Sequence, residues 1–140
     1  VDKADAAGLT HIICKNKIYS IWMNVRPRDG LLTICNCCPC CCLWKVIPKL
    51  DDKISDKIHK LDGVEIAIDN SKCINCMKCL NGVCMADAIN FENDKIQINQ
   101  DTCRCCGLCV NTCNQNAITI NYDSSSINSI VDELYNLVEL

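Results

Sequence analysis

The sequence predicts an α+β fold: a pseudo-twofold repeat of two small metal-binding units, preceded by a short cysteine-rich segment and flanked by amphipathic helices. Three observations predict it. First, 16 of the 140 residues are cysteine, above the roughly 8–10% at which a short chain is usually built around its cysteines. Second, those cysteines are grouped, not dispersed. Third, one group recurs at a nearly constant offset with the same apolar flanks. With aromatic residues at 4%, a large aromatic core is excluded, and a chain of this size needs staples.

The cysteines are Cys14, then Cys35, Cys37, Cys38, Cys40, Cys41 and Cys42, then Cys73, Cys76, Cys79 and Cys84, and finally Cys103, Cys105, Cys106, Cys109 and Cys113. Disulfide frameworks close loops between distant cysteines. Neighbours with two residues between them instead let one backbone turn aim several thiolates at a single centre, so the two C-terminal groups read as metal sites. Ile66-Ala67-Ile68, Cys73-x-x-Cys76-x-x-Cys79 and Ala88-Ile89 return as Ile96-Gln97-Ile98, Cys103-x-x-Cys106-x-x-Cys109 and Ala117-Ile118. Each unit reads as strand, metal loop, helical turn, strand. The Ile-x-Ile pairs alternate as half-buried strands do, and Asn93 and Asp94 supply a turn between the halves.

Residues 64–121, about 40% of the chain, resemble bacterial-type two-cluster ferredoxins, whose run is C-x2-C-x2-C-x3-C-P. The resemblance implies two [4Fe–4S] clusters. Carried over by position, Cys73, Cys76, Cys79 and Cys113 hold one, and Cys103, Cys106, Cys109 and Cys84 the other. Each cluster would then tie the two halves together. The chain departs from the family at several points. Four residues, Leu80-Asn81-Gly82-Val83, precede Cys84 where three are usual, which calls for a bulge that Gly82 can supply. Met85 and Asn114 stand where proline is usual. Asn75 and Cys105 occupy the small-residue position before the second cysteine, where a left-handed backbone suits Asn better than Cys. Cys105 reads as a thiol near the iron and not on it. Paired Cys-x2-Cys knuckles also bind zinc, but a third cysteine at another two-residue step is surplus to that geometry.

The amino-terminal segment, residues 1–46, is expected to contain a short helix stopped near Gly8, apolar runs at Ile12-Ile13 and Ile18–Met23, and a hairpin turn at Asp29-Gly30 leading into Leu31–Ile34. These predict a small sheet packed on the repeat. His11 reads as a hydrogen-bonding or surface group. Six cysteines in Cys35–Cys42 cannot all fill a core. In an extended strand Cys38, Cys40 and Cys42 share one face and Cys35, Cys37 and Cys41 the other, while Pro39 favours a bent path around a centre. The run is similar to a segment preceding dicluster ferredoxin domains in some redox proteins of anaerobes. A third iron–sulfur centre on Cys35, Cys37, Cys38, Cys40, Cys41 and Cys42, with Cys14 a distant ligand, is the expectation. A zinc or redox-active thiol patch, or disulfides formed on oxidation, are the alternatives.

Residues 47–63 predict a linking amphipathic helix. Pro48 suits a first turn, Ile47, Leu50, Ile54, Ile58 and Leu61 form its stripe, and Lys49, Lys53, Lys57 and Lys60 its solvated side. The repeat is bounded at 64–122. Residues 123–140 predict a second helix, capped around Ser124–Ser126, with Ile127, Ile130, Val131, Leu134, Leu137 and Val138 as an apolar stripe that packs on its own domain or docks on a partner subunit.

No glycine-rich phosphate loop, Ser/His/Asp set or framed carboxylate pair is present, so no catalytic residue is assigned. A net charge of −3 argues against a nucleic-acid partner, and no apolar stretch reaches the ~18–20 residues of a membrane span. The start, Val1-Asp2-Lys3, has no signal-peptide core and points to a processed chain or a piece of a longer one. The expected function is electron transfer through two [4Fe–4S] clusters, as a carrier or as a subunit of a larger oxidoreductase with redox proteins as partners, in a reducing, anaerobic cytoplasm. The alternative is a non-redox zinc- or metal-binding structural or regulatory module.

Overall fold

The computed structural model describes residues 1–14, 17–26, 31, 33–40, 42–55 and 59–135. Its second half is built from four short strands: β3 (Val64–Ile68), β4 (Ile89–Glu92), β5 (Lys95–Ile98) and β6 (Ile118–Tyr122). They form two antiparallel pairs. The outer strands meet each other, with Val64 opposite Tyr122 and Ile68 opposite Ile118. The inner strands form a hairpin in which Glu92 faces Lys95. Asn93 and Asp94 turn that hairpin with φ of 52° and 58°, the double left-handed conformation that matches strand twist. The expected turn is therefore in place.

The Ile-x-Ile alternation buries one residue of each pair more deeply. Ile66 and Ile96 are nearly inaccessible, and they meet Ala88, Ile118, Cys79, Cys103 and Cys109 in one core. Cysteine contributes almost as many members to that core as aliphatic residues do. Several local features recur between the halves. Asp69 N donates to Ala117 O and Asn99 N to Ala88 O, each at 2.8 Å. The side chains of Asp69 and Asn99 each accept from the backbone two residues on, at Ser71 and Asp101. Left-handed residues fall in pairs: Asn75 with Cys105, Met77 with Gly107, and Asp87 with Asn116. The left-handed backbone expected at Asn75 and Cys105 is present, as is a positive φ of 70° at Gly82.

In the first half, α1 (Asp2–Ala6) ends before Gly8, and β1 (Thr10–Cys14) pairs antiparallel with β2 (Thr33–Cys37). The apolar run at 18–23 is not extended. It lies largely in a helix, α2 (Lys17–Trp22), and Asp29-Gly30 falls outside the described residues. His11 meets its cross-strand partner Asn36, with Nδ1 2.7 Å from Oδ1.

The single linking helix is also replaced. Residues 43–55 form α3 (Leu43–Val46), a 3-10 turn at Ile47–Lys49 and α4 (Asp52–Ser55). Leu50 is extended, with ψ of 174°, and Asp51 Oδ1 accepts from Lys53 N to start the next turn. Proline crowds the turn before it, consistent with α3 ending at Val46, while Pro48 itself sits in the first turn of the 3-10 segment as expected and the helical path breaks after it, at Leu50. Ile58 and Lys57 lie outside the described residues, and Leu61 is coil and exposed. Lys49 pairs with Asp87 at 3.1 Å, and Lys60 Nζ donates to Gln100 Oε1 at 2.9 Å.

After β6, α5 (Leu108–Thr112) having been placed earlier in the chain, α6 (Ser124–Tyr135) closes the described residues. Its cap is Asp123, whose carboxylate accepts from Ser125 N and Ser126 N, one residue before the expected serines. Leu137 and Val138 lie outside the described residues. The arrangement is a small α+β one with short antiparallel sheets, and no described helix is long and apolar enough to cross a membrane.

Candidate metal centres

Two cavities open in the second half. The first is lined by Cys73, Cys76, Cys79 and Cys113, with Ile68, Ile96 and Ile118 among its apolar walls. The second is lined by Cys84, Cys103, Cys106 and Cys109, with Ile66, Leu108 and Trp44 among its walls. Each therefore draws three cysteines from one run and a fourth from the other. The backbone explains the convergence. Left-handed Asn75 and Met77 bend the first loop, and left-handed Cys105 and Gly107 bend the second. Short helical turns at Lys78–Leu80 and Leu108–Thr112 then bring Cys79 and Cys109 inward. Gly107 holds φ of 81°, and a Cβ there would sit 3.4 Å from Ile120 Cδ1.

Electrostatics groups the thiols in the same way. Burial pushes the Cys79 thiol up, and Cys73, Cys76 and Cys113 add to the rise. Cys109 is pushed up to about 12 by burial and then by Cys106, Cys103 and Cys84. Cys106 rises through burial, with Cys84 and Cys103 reinforcing it. Like charges brought together in a partly dry site resist ionisation, and a bound cation reverses that resistance. Cys113 differs. Burial opposes its ionisation, but the backbone N–H groups of Ala117, Gln115 and Ile118 outweigh it and lower the thiol. Cys105 points elsewhere, its Sγ 3.6 Å from Val64 O, and burial followed by Cys103 raises it to about 11.

The amino-terminal run divides. Pro39 and Cys40 form a turn, which Lys45 braces by donating from Nζ to Pro39 O at 2.9 Å. The turn carries Cys42 back to Cys35 and Cys37, so the two-face alternation of an extended strand does not apply. The sulfurs of Cys35, Cys37 and Cys42 lie within 4.8 Å of one another. Cys38 and Cys40 are paired as a disulfide. Cys41 and the side chain of Cys14 are outside the described residues. Cys37 is raised by burial first and by its two cysteine neighbours next. Thr10, which no local pattern singles out, is buried and donates from Oγ1 to the Cys106 carbonyl.

No protein-family model matches the chain. It is similar to the ferredoxin-type protein FwdE of Methanocaldococcus jannaschii, at 31% identity over 61 residues, which are 44% of this chain and 39% of FwdE. It is also similar to the pyruvate synthase subunit PorD of the same organism, at 42% identity over 53 residues, 37% of this chain and 60% of PorD. The chain thus matches less than two thirds of either relative's length.

Proposed function

We propose that the chain is a ferredoxin-type electron-transfer protein, acting as a carrier or as a subunit of an oxidoreductase complex, whose residues 64–122 form a pseudo-twofold module for two [4Fe–4S] clusters. The observation that carries this reading is the pair of cavities, each bordered by four cysteines with one contributed from the opposite half. Cys73, Cys76, Cys79 and Cys113 would hold one cluster, and Cys84, Cys103, Cys106 and Cys109 the other. The donor set fits: four thiolates are the ligand complement of such a cluster. Similarity to a protein named ferredoxin-type and to one named a synthase subunit supports the same class.

When bound, such clusters exchange single electrons, with the charge spread over irons and sulfides. The chain's own residues do the rest. The thiolates would anchor each cluster, and the isoleucine walls would cover part of it while Cys76 stays exposed. The N–H groups around Cys113 stabilise its charged form before any metal arrives. Redox proteins are the partners of this reading, and a reducing, anaerobic cytoplasm is the setting in which exposed clusters survive.

Anaerobic iron and sulfide quantification, with electron paramagnetic resonance on the reduced protein, tests it. The expected result is at least about eight irons and eight sulfides per chain with two interacting signals. A colourless protein loaded only with zinc would overturn it in favour of the structural module.

A further inference from the structure

Outside the two cavities, three sulfurs converge with no role in the function proposed above. Cys37 and Cys42 are more than nine-tenths buried, at 1% and 8% exposed, and Cys35 is half-buried beside them. The Cys37 and Cys35 sulfurs are 2.8 Å apart, and all three lie within 4.8 Å of one another. A tetrahedral ion with metal–sulfur bonds of about 2.3 Å sets its thiolates about 3.8 Å apart. One ion centred in this group therefore reaches all three with only small side-chain adjustments. A four-iron cluster spreads its cysteines more widely, because each binds a different corner. We propose that Cys35, Cys37 and Cys42 hold a single thiophilic metal ion, zinc or ferrous iron, with one further ligand completing the tetrahedron.

The position gives the ion a structural consequence. Cys37 and Cys42 pack with Met85 and Leu108, and Cys106, Val83, Trp44 and Ile12 border the same cluster of side chains. Met85 follows Cys84, and Leu108 lies between Cys106 and Cys109, so the ion sits behind the wall of the second cavity. It joins β2 to the start of α3 and presses both against that wall. Closing the stretch from Cys35 to Cys42 with a metal also stabilises a part of the chain that has little apolar core of its own.

The test uses the full chain purified anaerobically, with metals and acid-labile sulfide counted together. The expected composition is about eight irons and eight sulfides for the two cavities, plus one zinc, or one iron with no matching sulfide. X-ray absorption at the edge of the extra metal should show three or four sulfurs at about 2.3 Å. Cys37→Ser and Cys42→Ser should each lose that one metal while keeping the irons, sulfides and reduced-state spectrum of the two cavities. Cys35→Ser provides a third variant should either fail to fold. About twelve irons with twelve sulfides would mean a further cluster and overturn the single-ion assignment. No metal beyond the two clusters, or an extra metal retained in all the serine variants, would overturn the site. A shortfall of cavity iron and sulfide with the extra ion retained would count instead against the two-cluster reading.

Discussion

The hydroxyl of Thr10 donates to the carbonyl of Cys106 across 96 residues of sequence. Thr10 is also the strand partner of Cys37. One buried position at the start of β1 thus touches the loop of the second cavity and stands opposite a member of the amino-terminal thiol group. A Thr10→Val substitution keeps the shape and leaves the carbonyl unpaired, at a cost of about 1–2 kcal/mol. The melting temperature should fall by roughly 3–6 °C for a chain of this size. The iron count should not change, but one of the two paramagnetic signals should. An unchanged spectrum would mean that this hydrogen bond does not reach the second centre.

Cys84 and Cys113 are the cysteines that cross between halves. Cys113→Ser should cost the chain about four irons, and Cys84→Ser a different set of about four. Difference spectra between the two variants should separate the two centres. If either variant retained the full iron content, the crossed assignment would fail.

Cys105 stands left-handed at φ 50° with its sulfur directed at a backbone carbonyl. A non-glycine residue in that conformation costs about 1–2 kcal/mol. Cys105→Gly should relieve part of this strain, keep every iron, and leave the melting temperature equal or higher. Loss of iron in this variant would make Cys105 a ligand.

Asp123 caps α6, and its carboxyl is lowered to about 2 by hydrogen bonds from the Ser125 and Ser126 hydroxyls, with the two amides adding to the effect. A folded-state value below the ordinary one means that the cap contributes stability above the usual carboxylate range near 3.9 and loses it only as pH falls towards 2. At pH 4 the amide protons of Ser125 and Ser126 should therefore remain protected from exchange in wild type and be unprotected in Asp123→Ala at any pH. Loss of protection centred near pH 4 in wild type would show that the hydroxyls do not hold the carboxylate.

The short strands and turns of the second half were readable because their signals are local. Two Ile-x-Ile pairs, an Asn-Asp turn and triplets of cysteine need only neighbours a few residues away. The division of the Cys35–Cys42 run was not readable, since it depends on a turn at Pro39–Cys40 that a lysine from α3 braces. The linking helix failed for a related reason. Ile47, Leu50 and Ile54 have helical spacing, but the extended Leu50 interrupts it. In α2, Ile18, Tyr19, Ile21 and Trp22 favour strands intrinsically, yet the segment is helical, and Tyr19 and Trp22 stack edge to face with centroids 6.0 Å apart, as residues three apart on a helix can. Thr10 carries no pattern at all, because its partner is remote.

The cavity that gathers Cys73, Cys76 and Cys79 is completed by Cys113, and β3 finds its partner only in β6. During synthesis, a nascent chain that has emerged through its first cysteine triplet still lacks the fourth wall of that pocket. It also lacks the strand that covers β3. Iron delivered at that stage would meet an open three-thiol edge exposed to solvent. On the two-cluster reading, loading of the first pocket would therefore wait until residue 113 has been synthesised and has left the ribosome.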